Sequence, residues 1–330
     1  MRGNRVYFLG PPGKKYSIDE TKFKNVWKLD YPGFLKGLRF FPDFFIKHII
    51  KRVFSNIESL VEVKIDVIWS FDNSVFFDFD AIPKNVLKIS HIVDMSQDFQ
   101  MEKAAKTADI SFAVTKNILN KILRFQKNVF FINHGYDNQE FENKEIYIRG
   151  SGQVKVMYGG NLNIPSFDWE LFMDLIEANE NVDFHLIGPE PAQSIIEKFS
   201  NYNNVFLEGK KDSIELKSWY KIADILIVIY KEEHCIELTN THKMMGYLGS
   251  GKMIVATNTL EYKNLADSGL IAMSDTNDKY VDIFKDIAEN IDYWNSDMKR
   301  KKRKSYALNN TYEKQIQKIE KYINLLKKNN

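Results

Sequence analysis

The sequence predicts an α/β chain with two Rossmann-like domains, each built on a parallel sheet, facing a cleft. Short β-branched and aromatic runs alternate with helical periodicity throughout, the pattern of βαβ units. The 330 residues are more than one compact core usually holds and suit two domains. A strand running into glycine opens each half, as Phe8-Leu9-Gly10 and as Met157-Tyr158-Gly159-Gly160.

In the first half, strands are predicted near 5–9, 66–69, 86–92, 110–114 and 129–132, with helices over 43–61, 98–107 and 116–126. A mostly polar stretch, 140–153, ends in Gly150-Ser151-Gly152-Gln153 and reads as a hinge. The first domain is therefore expected over 1–145 and the second over 153–310. The second restarts with a strand at 155–158 and a helix at 168–178. A strand at 184–187, a helix at 191–199, a strand at 205–207 and a helix at 213–221 follow. A strand at 224–230, a helix at 241–249 and a strand at 253–256 then complete the expected sheet. Beyond Asn277 the pattern is helical. Over 311–328, Tyr312, Ile316, Ile319, Ile323 and Leu326 recur at steps of four and three, which draws one apolar stripe along a helix.

Composition narrows the function classes. Lys and Arg number 46 against 44 Asp and Glu, a formal charge of +2, so a dedicated nucleic-acid binder is not expected. With 44% hydrophobic and 27% charged residues the chain is of the folded class. The single cysteine, Cys235, excludes an intramolecular disulfide and a multi-cysteine zinc site. No apolar run approaches the ~18 residues of a membrane span, and the start lacks a signal-like apolar region. A cytoplasmic protein is expected.

The charge is uneven. Residues 1–150 hold 23 Lys and Arg against 18 Asp and Glu, and the remainder 23 against 26. Over 33–56, Lys36, Arg39, Lys47, Lys51 and Arg52 stand against Asp43 alone, interleaved with Phe34, Phe40, Phe41, Phe44, Phe45 and Phe54. Such a segment either lies on an anionic membrane surface or buries its Phe and Ile face in the core with its lysines outside. The six consecutive cations of 299–304 read as a solvated surface turn.

The most informative segment is Thr239-Asn240-Thr241-His242-Lys243-Met244-Met245-Gly246-Tyr247-Leu248-Gly249-Ser250-Gly251-Lys252, ahead of the strand Met253-Ile254-Val255-Ala256. A Thr/Asn cluster after a buried strand is expected to cap a helix, whose first N–H groups and partial positive charge attract an anion. Lys243 adds a full cation in the first turn. The bland alternative is an ordinary capped helix with a solvated lysine.

This segment resembles the donor-domain end of GT-B glycosyltransferases, whose pattern Ser-x-Pro-x-Lys-x-x-Glu-Tyr-Leu-x-x-Gly-Lys is matched at Lys243, Tyr247, Leu248, Gly251 and Lys252. The resemblance extends over most of the chain. Val156-Met157-Tyr158-Gly159-Gly160-Asn161 looks like the glycine loop that opens the donor domain. The stretches 184–189, 204–209 and 220–230 look like its later strand ends, and Phe131-Ile132-Asn133-His134-Gly135-Tyr136-Asp137 like the segment closing the first domain. The resemblance implies a GT-B fold whose C-terminal helix, 311–330, returns to the first domain. It also implies a nucleoside-diphosphate sugar as co-substrate, with no obligatory cofactor or metal. The implied donor-binding residues are Tyr158, Gly159, Gly160, Asn161, Lys210, Lys211, Glu237, Thr239, Asn240, Thr241 and Lys243. The pattern departs at two places. Gly246 stands where the family usually carries a glutamate for the donor ribose, and Thr241 stands at the proline. Glu232, Glu233, Glu237 and Glu261 are the nearest acids, and Glu237 is the preferred substitute.

For sugar transfer a base or stabilising group is needed at the acceptor and cations at the leaving diphosphate. The resemblance places the catalytic candidates in Ser90-His91-Ile92-Val93-Asp94, with Asp94 as base and His91 on donor sugar or phosphate. The alternative is a capping Asp94 and a buried structural His91. His134 reads as structural and His185 as buried. Asp78-Phe79-Asp80 has metal-site spacing but lies in the first domain. The expected partners are the nucleotide sugar and a glycan or lipid-linked acceptor, with peripheral membrane contact through 34–54 and no nucleic acid. Two other readings remain open: a noncatalytic GT-B subunit that stabilises a transferase, and a nucleotide-sugar epimerase.

Overall fold

The computed structural model describes residues 3–71, 76–93, 100–139, 144–235 and 240–329. The chain forms two compact units. One comprises Met1–Val114, Ile118–Phe131 and Leu326–Asn330, the other Thr115–Asn117 and Ile132–Leu325.

The first unit contains two sheets. β1 (Val6–Leu9), β2 (Ser17–Glu20) and β3 (Val26–Asp30) form the smaller one in the order β1-β3-β2, with β1 parallel and β2 antiparallel to β3. Neither β2 nor β3 was expected. β2 is polar and mostly exposed, so it shows no apolar run to read. α1 (Asp43–Val61) turns Ile46, Ile50, Val53, Phe54, Ile57 and Val61 inward at helical spacing, into one core with Leu29 and Tyr31. Its start carries the opposite character. Phe40 is 79% exposed and Phe44 75%, so the Phe-rich segment divides between core and surface. The second sheet, β4 (Val67–Ser70), β5 (Leu87–Ile92), β6 (Ile110–Ala113) and β7 (Val129–Phe131), is parallel and in sequence order. α2 (Met101–Thr107) and α3 (Lys116–Leu123) occupy its connections.

The second unit is built on six parallel strands: β8 (Val154–Gly159), β9 (Val182–Ile187), β10 (Val205–Leu207), β11 (Ile225–Val228), β12 (Met253–Ala256) and β13 (Ala272–Met273). Their spatial order is β10-β9-β8-β11-β12-β13, the doubly wound arrangement in which the order of strand addition reverses between β8 and β11. β13 has two residues and lies beyond the strand expected to complete the sheet. The remaining helices are α4 (Trp169–Glu177), α5 (Gln193–Phe199), α6 (Ser213–Ile222), α7 (Glu232–Cys235) and α8 (Lys243–Ser250). They continue as α9 (Lys263–Asp267), α10 (Tyr280–Glu289), α11 (Ile291–Trp294), α12 (Asp297–Leu308) and α13 (Tyr312–Asn329).

β9, β11 and β12 are buried along their whole length, as a parallel sheet covered on both faces requires. Alternate residues feed two cores. Val156, Tyr158, Phe184 and Ile227 meet Phe172 and Phe284 on one face. Met157, Leu226, Val228 and Ile254 meet Trp219, Tyr220, Met244 and Leu248 on the other. Asp168 caps α4 through the Leu171 N–H at 3.1 Å, and Asp212 caps α6 through Ile214 and Glu215 at 2.9 and 2.8 Å.

Two helical expectations are corrected. The cations of 299–304 lie inside α12, and Arg303 is fully buried. It donates to the carbonyls of Leu270 (2.9 Å), Gly251 (3.2 Å) and Trp294 (2.9 Å). Thr311, just before α13, and Gln315 and Ile319 on it are buried, while Tyr312 is 52% and Ile316 37% exposed. The helix start fixes this phase: Tyr136 donates to the Asn310 carbonyl (2.8 Å), and Tyr312 N–H donates to Tyr136 (3.1 Å). That clamp turns position 311 inward and position 312 out.

Candidate functional site

In a doubly wound sheet, ligands bind beyond the carboxyl ends of the strands at the reversal point. In the second unit that point lies past the ends of β8 and β11, where the glycine loop and the approach to α8 occur. The local sequence requires small residues here. A side chain at Gly188 would collide with the Gly160 carbonyl, and one at Gly159 with the Tyr220 hydroxyl. Gly160 N–H donates to Ile187 (2.9 Å) and Gly188 N–H to Gly209 (3.1 Å), which ties three strand ends together. The Gly159 N–H donates to the Tyr247 hydroxyl at 2.9 Å. Asn161 is exposed, and its side-chain oxygen accepts the Asn163 N–H at 2.9 Å, shaping the loop.

Lys243, the first residue of α8, reaches over this loop. Its ammonium lies 3.9 Å from the Tyr158 ring centre and 5.3 Å from that of Tyr230. A side chain at Gly160 would come within 2.7 Å of it. The residue as a whole is half-buried, but its charged end is desolvated, and burial pushes its pKa down to about 7. Among the described residues no carboxylate pairs with it. Burial also raises the hydroxyls of Tyr158, Tyr220 and Tyr247, which therefore stay neutral.

The approach to α8 differs from expectation in one respect. Among the described residues no side chain caps the helix. The Thr241 N–H donates to the Tyr262 hydroxyl at 2.7 Å, with Thr241 Oγ1 3.0 Å from the same oxygen. Asn240 donates from Nδ2 to Asn133 Oδ1 (3.0 Å), and His134 donates from Nε2 to the Asn240 carbonyl (2.8 Å). Burial lowers both His134 and His242, so the pair stays neutral near pH 7. Asn133 and His134 thus hold the segment leading into α8, a role their turn-like sequence did not reveal.

Lys211 pairs with Glu215 (3.3 Å) and lies over the Trp219 ring. Lys210 is exposed beside Gly209. Glu237 and Thr239 lie outside the described residues, as does Asp94. His91 lies on β5 of the first unit, buried among Trp69, Phe71 and Phe112 with ring centres 5.9, 5.1 and 5.7 Å away. His185 is buried, with Nδ1 2.9 Å from Glu208. Asp78 and Asp80 are both in ion pairs, with Lys103 (3.2 Å) and Lys47 (3.0 Å). Among the described residues no three His, Cys, Asp or Glu side chains converge as a metal site would need.

A cation, an uncapped helix N-terminus and a side-chain-free backbone therefore meet at one sheet end, a combination suited to a phosphate-bearing ligand. Solved structures share the scaffold. A trehalose-6-phosphate synthase is similar at 12% identity with a TM-score of 0.64, over 98% of this chain and 93% of that one. The chain has the GT-B fold. The same GT-B scaffold occurs in HepE of Anabaena in complex with UDP and glucose, at 12% identity and TM-score 0.60 over 84% and 81% of the two chains. A glycosyltransferase of Rickettsia africae is similar at 15% identity and TM-score 0.62, over 86% and 82%. No protein-family model matches the chain, and no curated protein matches it in sequence.

Proposed function

We propose that this GT-B chain is a metal-independent glycosyltransferase of the hexosyl type. It moves a sugar from a nucleoside-diphosphate donor to a glycan or lipid-linked acceptor in surface-polysaccharide or glycoconjugate synthesis. One observation carries the reading: Lys243 presents a desolvated ammonium without a carboxylate partner among the described residues, above the glycine loop at the sheet's reversal point. HepE, of the same fold, has been crystallised with UDP-glucose. In this proposal residues 153–310 hold the donor and 1–145 the acceptor, with 311–330 returning to the first domain. Lys243 and the α8 N-terminus neutralise the departing diphosphate. Asp94 removes the acceptor proton, His91 contacts donor sugar or phosphate, and Glu237 takes the ribose hydroxyls in place of the acid absent at Gly246.

Peripheral contact with the inner face of a membrane belongs to the same proposal. Leu35, Phe40, Phe41 and Phe44 are exposed together with Lys36, Lys51 and Arg52, a set that suits an anionic bilayer. Among the described residues no helix is long and apolar enough to cross one.

The test is binding and hydrolysis across a panel of nucleotide sugars, comparing the natural chain with Lys243→Met and Asp94→Asn. Donor-dependent turnover that both substitutions abolish is expected. Absence of both nucleotide binding and turnover would overturn the reading. Binding without turnover would favour the noncatalytic-subunit alternative, for which Gly246 is the motivating observation.

A further inference from the structure

α12 has an outward face that nothing at the nucleotide site explains. Six consecutive residues, Lys299 to Lys304, are cationic, and only Arg303 among them is buried. Lys301, Lys302 and Lys304 are exposed, and the two apolar residues on the same arc are exposed with them, Met298 at 75% and Leu308 at 49%. At a helical turn of 3.6 residues, positions 298, 301, 302, 305 and 308 make one continuous stripe opposite Arg303 and Ala307. Tyr293, 63% exposed, lies ahead of the helix start on the flank of this stripe, with Lys299 4.3 Å from its ring centre.

Neutral groups contact part of this charge: Lys302 donates to the Ser268 carbonyl, and Lys299 lies 4.3 and 4.7 Å from the ring centres of Tyr293 and Trp294. Among the described residues no carboxylate forms an ion pair with Lys299, Arg300, Lys301, Lys302 or Lys304, although such pairs are common elsewhere in the chain, as at Lys103–Asp78 and Lys144–Asp212. Lys252, beside the helix, shows the crowding. Its pKa is lowered first by burial; Asp224 opposes this, and Arg300 and Lys304 lower it further. Asp297, at the helix start, is the only acid within α12.

We propose that the exposed face of α12 docks on an anionic lipid bilayer, with Met298 and Leu308 entering the headgroup boundary and the exposed lysines meeting lipid phosphates. The apolar residues decide the partner. A soluble polyanion gains nothing from an exposed methionine and leucine among lysines, whereas an interface takes up the apolar tips and lets lysine stems reach outward. The inference is independent of the donor-site reading, because it uses no residue of that site. It is also distinct from the Phe40–Phe44 surface of the first unit.

Sedimentation of the full chain with vesicles tests it. The vesicles are phosphatidylcholine alone, or equal parts phosphatidylcholine and phosphatidylglycerol. The natural chain is expected to bind only the anionic vesicles. Lys301→Glu/Lys302→Glu/Lys304→Glu should weaken this more than tenfold, and Met298→Ser/Leu308→Ser severalfold. The milder Lys301→Gln/Lys302→Gln guards against misfolding. All three should keep the thermal midpoint and UDP binding of the natural chain, and Phe40→Ser/Phe44→Ser separates the contribution of the other surface. Absence of vesicle binding, or binding indifferent to the lysine substitutions, would overturn the proposal. So would retention by polyphosphate with no effect of Met298→Ser/Leu308→Ser, which would make the face a soluble-polyanion site.

Discussion

The Lys243 ammonium rests 3.9 Å from the centre of the Tyr158 ring, held by a π face where an ion pair would ordinarily stand. Cation–π attraction stabilises it only in part, because ring quadrupoles replace lost hydration incompletely. The residue is thus poised between its charged and neutral forms.

That poise has a pH signature. With a pKa pushed down to about 7, about half of the unliganded molecules carry a neutral Lys243 at pH 7. A bound diphosphate raises the pKa again, so binding takes up a proton. Uptake is expected at about half a proton at pH 7, near zero at about pH 5.5 and close to one at about pH 8.5. Affinity should be highest below pH 7 and fall by up to ~10-fold per unit above it. Calorimetry with a UDP-sugar, whose diphosphate diester does not titrate here, in buffers of different ionisation heat measures the uptake. A pH-independent affinity would remove Lys243 from the contact.

The same group imposes a stability cost that Lys243→Met removes. The folded pKa lies below the unfolded one, so between about pH 7 and 10.5 the unfolded chain binds more protons and the natural protein gains stability as pH rises. Below pH 7 the full penalty of burying the charge is present. Lys243→Met should therefore be more stable than the natural chain at about pH 6, by roughly 2 kcal/mol, with the difference vanishing towards pH 10. It should nonetheless bind a UDP-sugar at least ~10-fold more weakly, about 1.4 kcal/mol. Denaturant titrations at the two pH values, with binding measured in parallel, check both signs.

Gly188 tests the backbone side of the site. Its missing side chain is where the Gly160 carbonyl sits, and backbone cannot swing aside as a flexible side chain can. Gly188→Ala should destabilise the chain by about 2 kcal/mol or more and abolish nucleotide binding by displacing the glycine loop. Gly209→Ala, with open space around it, is the control for nucleotide contact: it should cost only the strain of its left-handed backbone and leave binding close to that of the natural chain.

The sheet of the second unit was legible because buried parallel strands announce themselves as apolar runs, and Val205–Leu207 and Met253–Ala256 coincide with their expected limits. β2 was not, since Ser17–Glu20 pairs through its backbone without an apolar pattern. At the site, Lys243 and Gly159-Gly160 were legible from local motif. Their enclosure by Tyr158 and Tyr230 was not, because those contacts join loops at distant places in the sequence. The cap expected of the Thr/Asn cluster is not supplied by Thr241, for the same reason. Its hydroxyl, a good cap by local chemistry, is taken by Tyr262, 21 residues on. Arg303 was hidden among identical charges, and Ala307 four residues later was the one local sign of an inward face.

Gly246 is open to substitution. A Cβ there would meet the Tyr220 ring at 3.5 Å, an ordinary contact, so packing does not demand glycine. Gly246→Ala should stabilise the chain by about 1 kcal/mol through helix propensity. Gly246→Glu should also fold and, with Glu237 proposed to take the ribose hydroxyls, should bind a UDP-sugar about as tightly as the Ala variant. Tighter binding in the Glu variant would show that the ribose lacks its acceptor in the natural chain and remove Glu237 from that role.

Arg303 ties α8 to the elements behind it. Its guanidinium meets no carboxylate among the described residues and is satisfied by carbonyls of Leu270, Gly251 and Trp294; Gly251 is the C-terminal cap of α8. Partial negative charge at a helix end favours a cation there, which offsets part of the desolvation that lowers its pKa to about 10, with Arg300 adding to the effect. Arg303→Met fills similar volume but leaves three carbonyls without their donor, so a loss of about 3 kcal/mol is expected. Arg303→Lys keeps the charge but cannot reach three separate acceptors with a planar fork, so it should recover less than half of that loss. If α8 is held in place through its C-terminus, both variants should weaken UDP-sugar binding while leaving its pH profile centred near 7. Denaturant unfolding and calorimetry on the same samples separate the two effects, and an unchanged affinity in a folded Arg303→Met chain would confine Arg303 to stability alone.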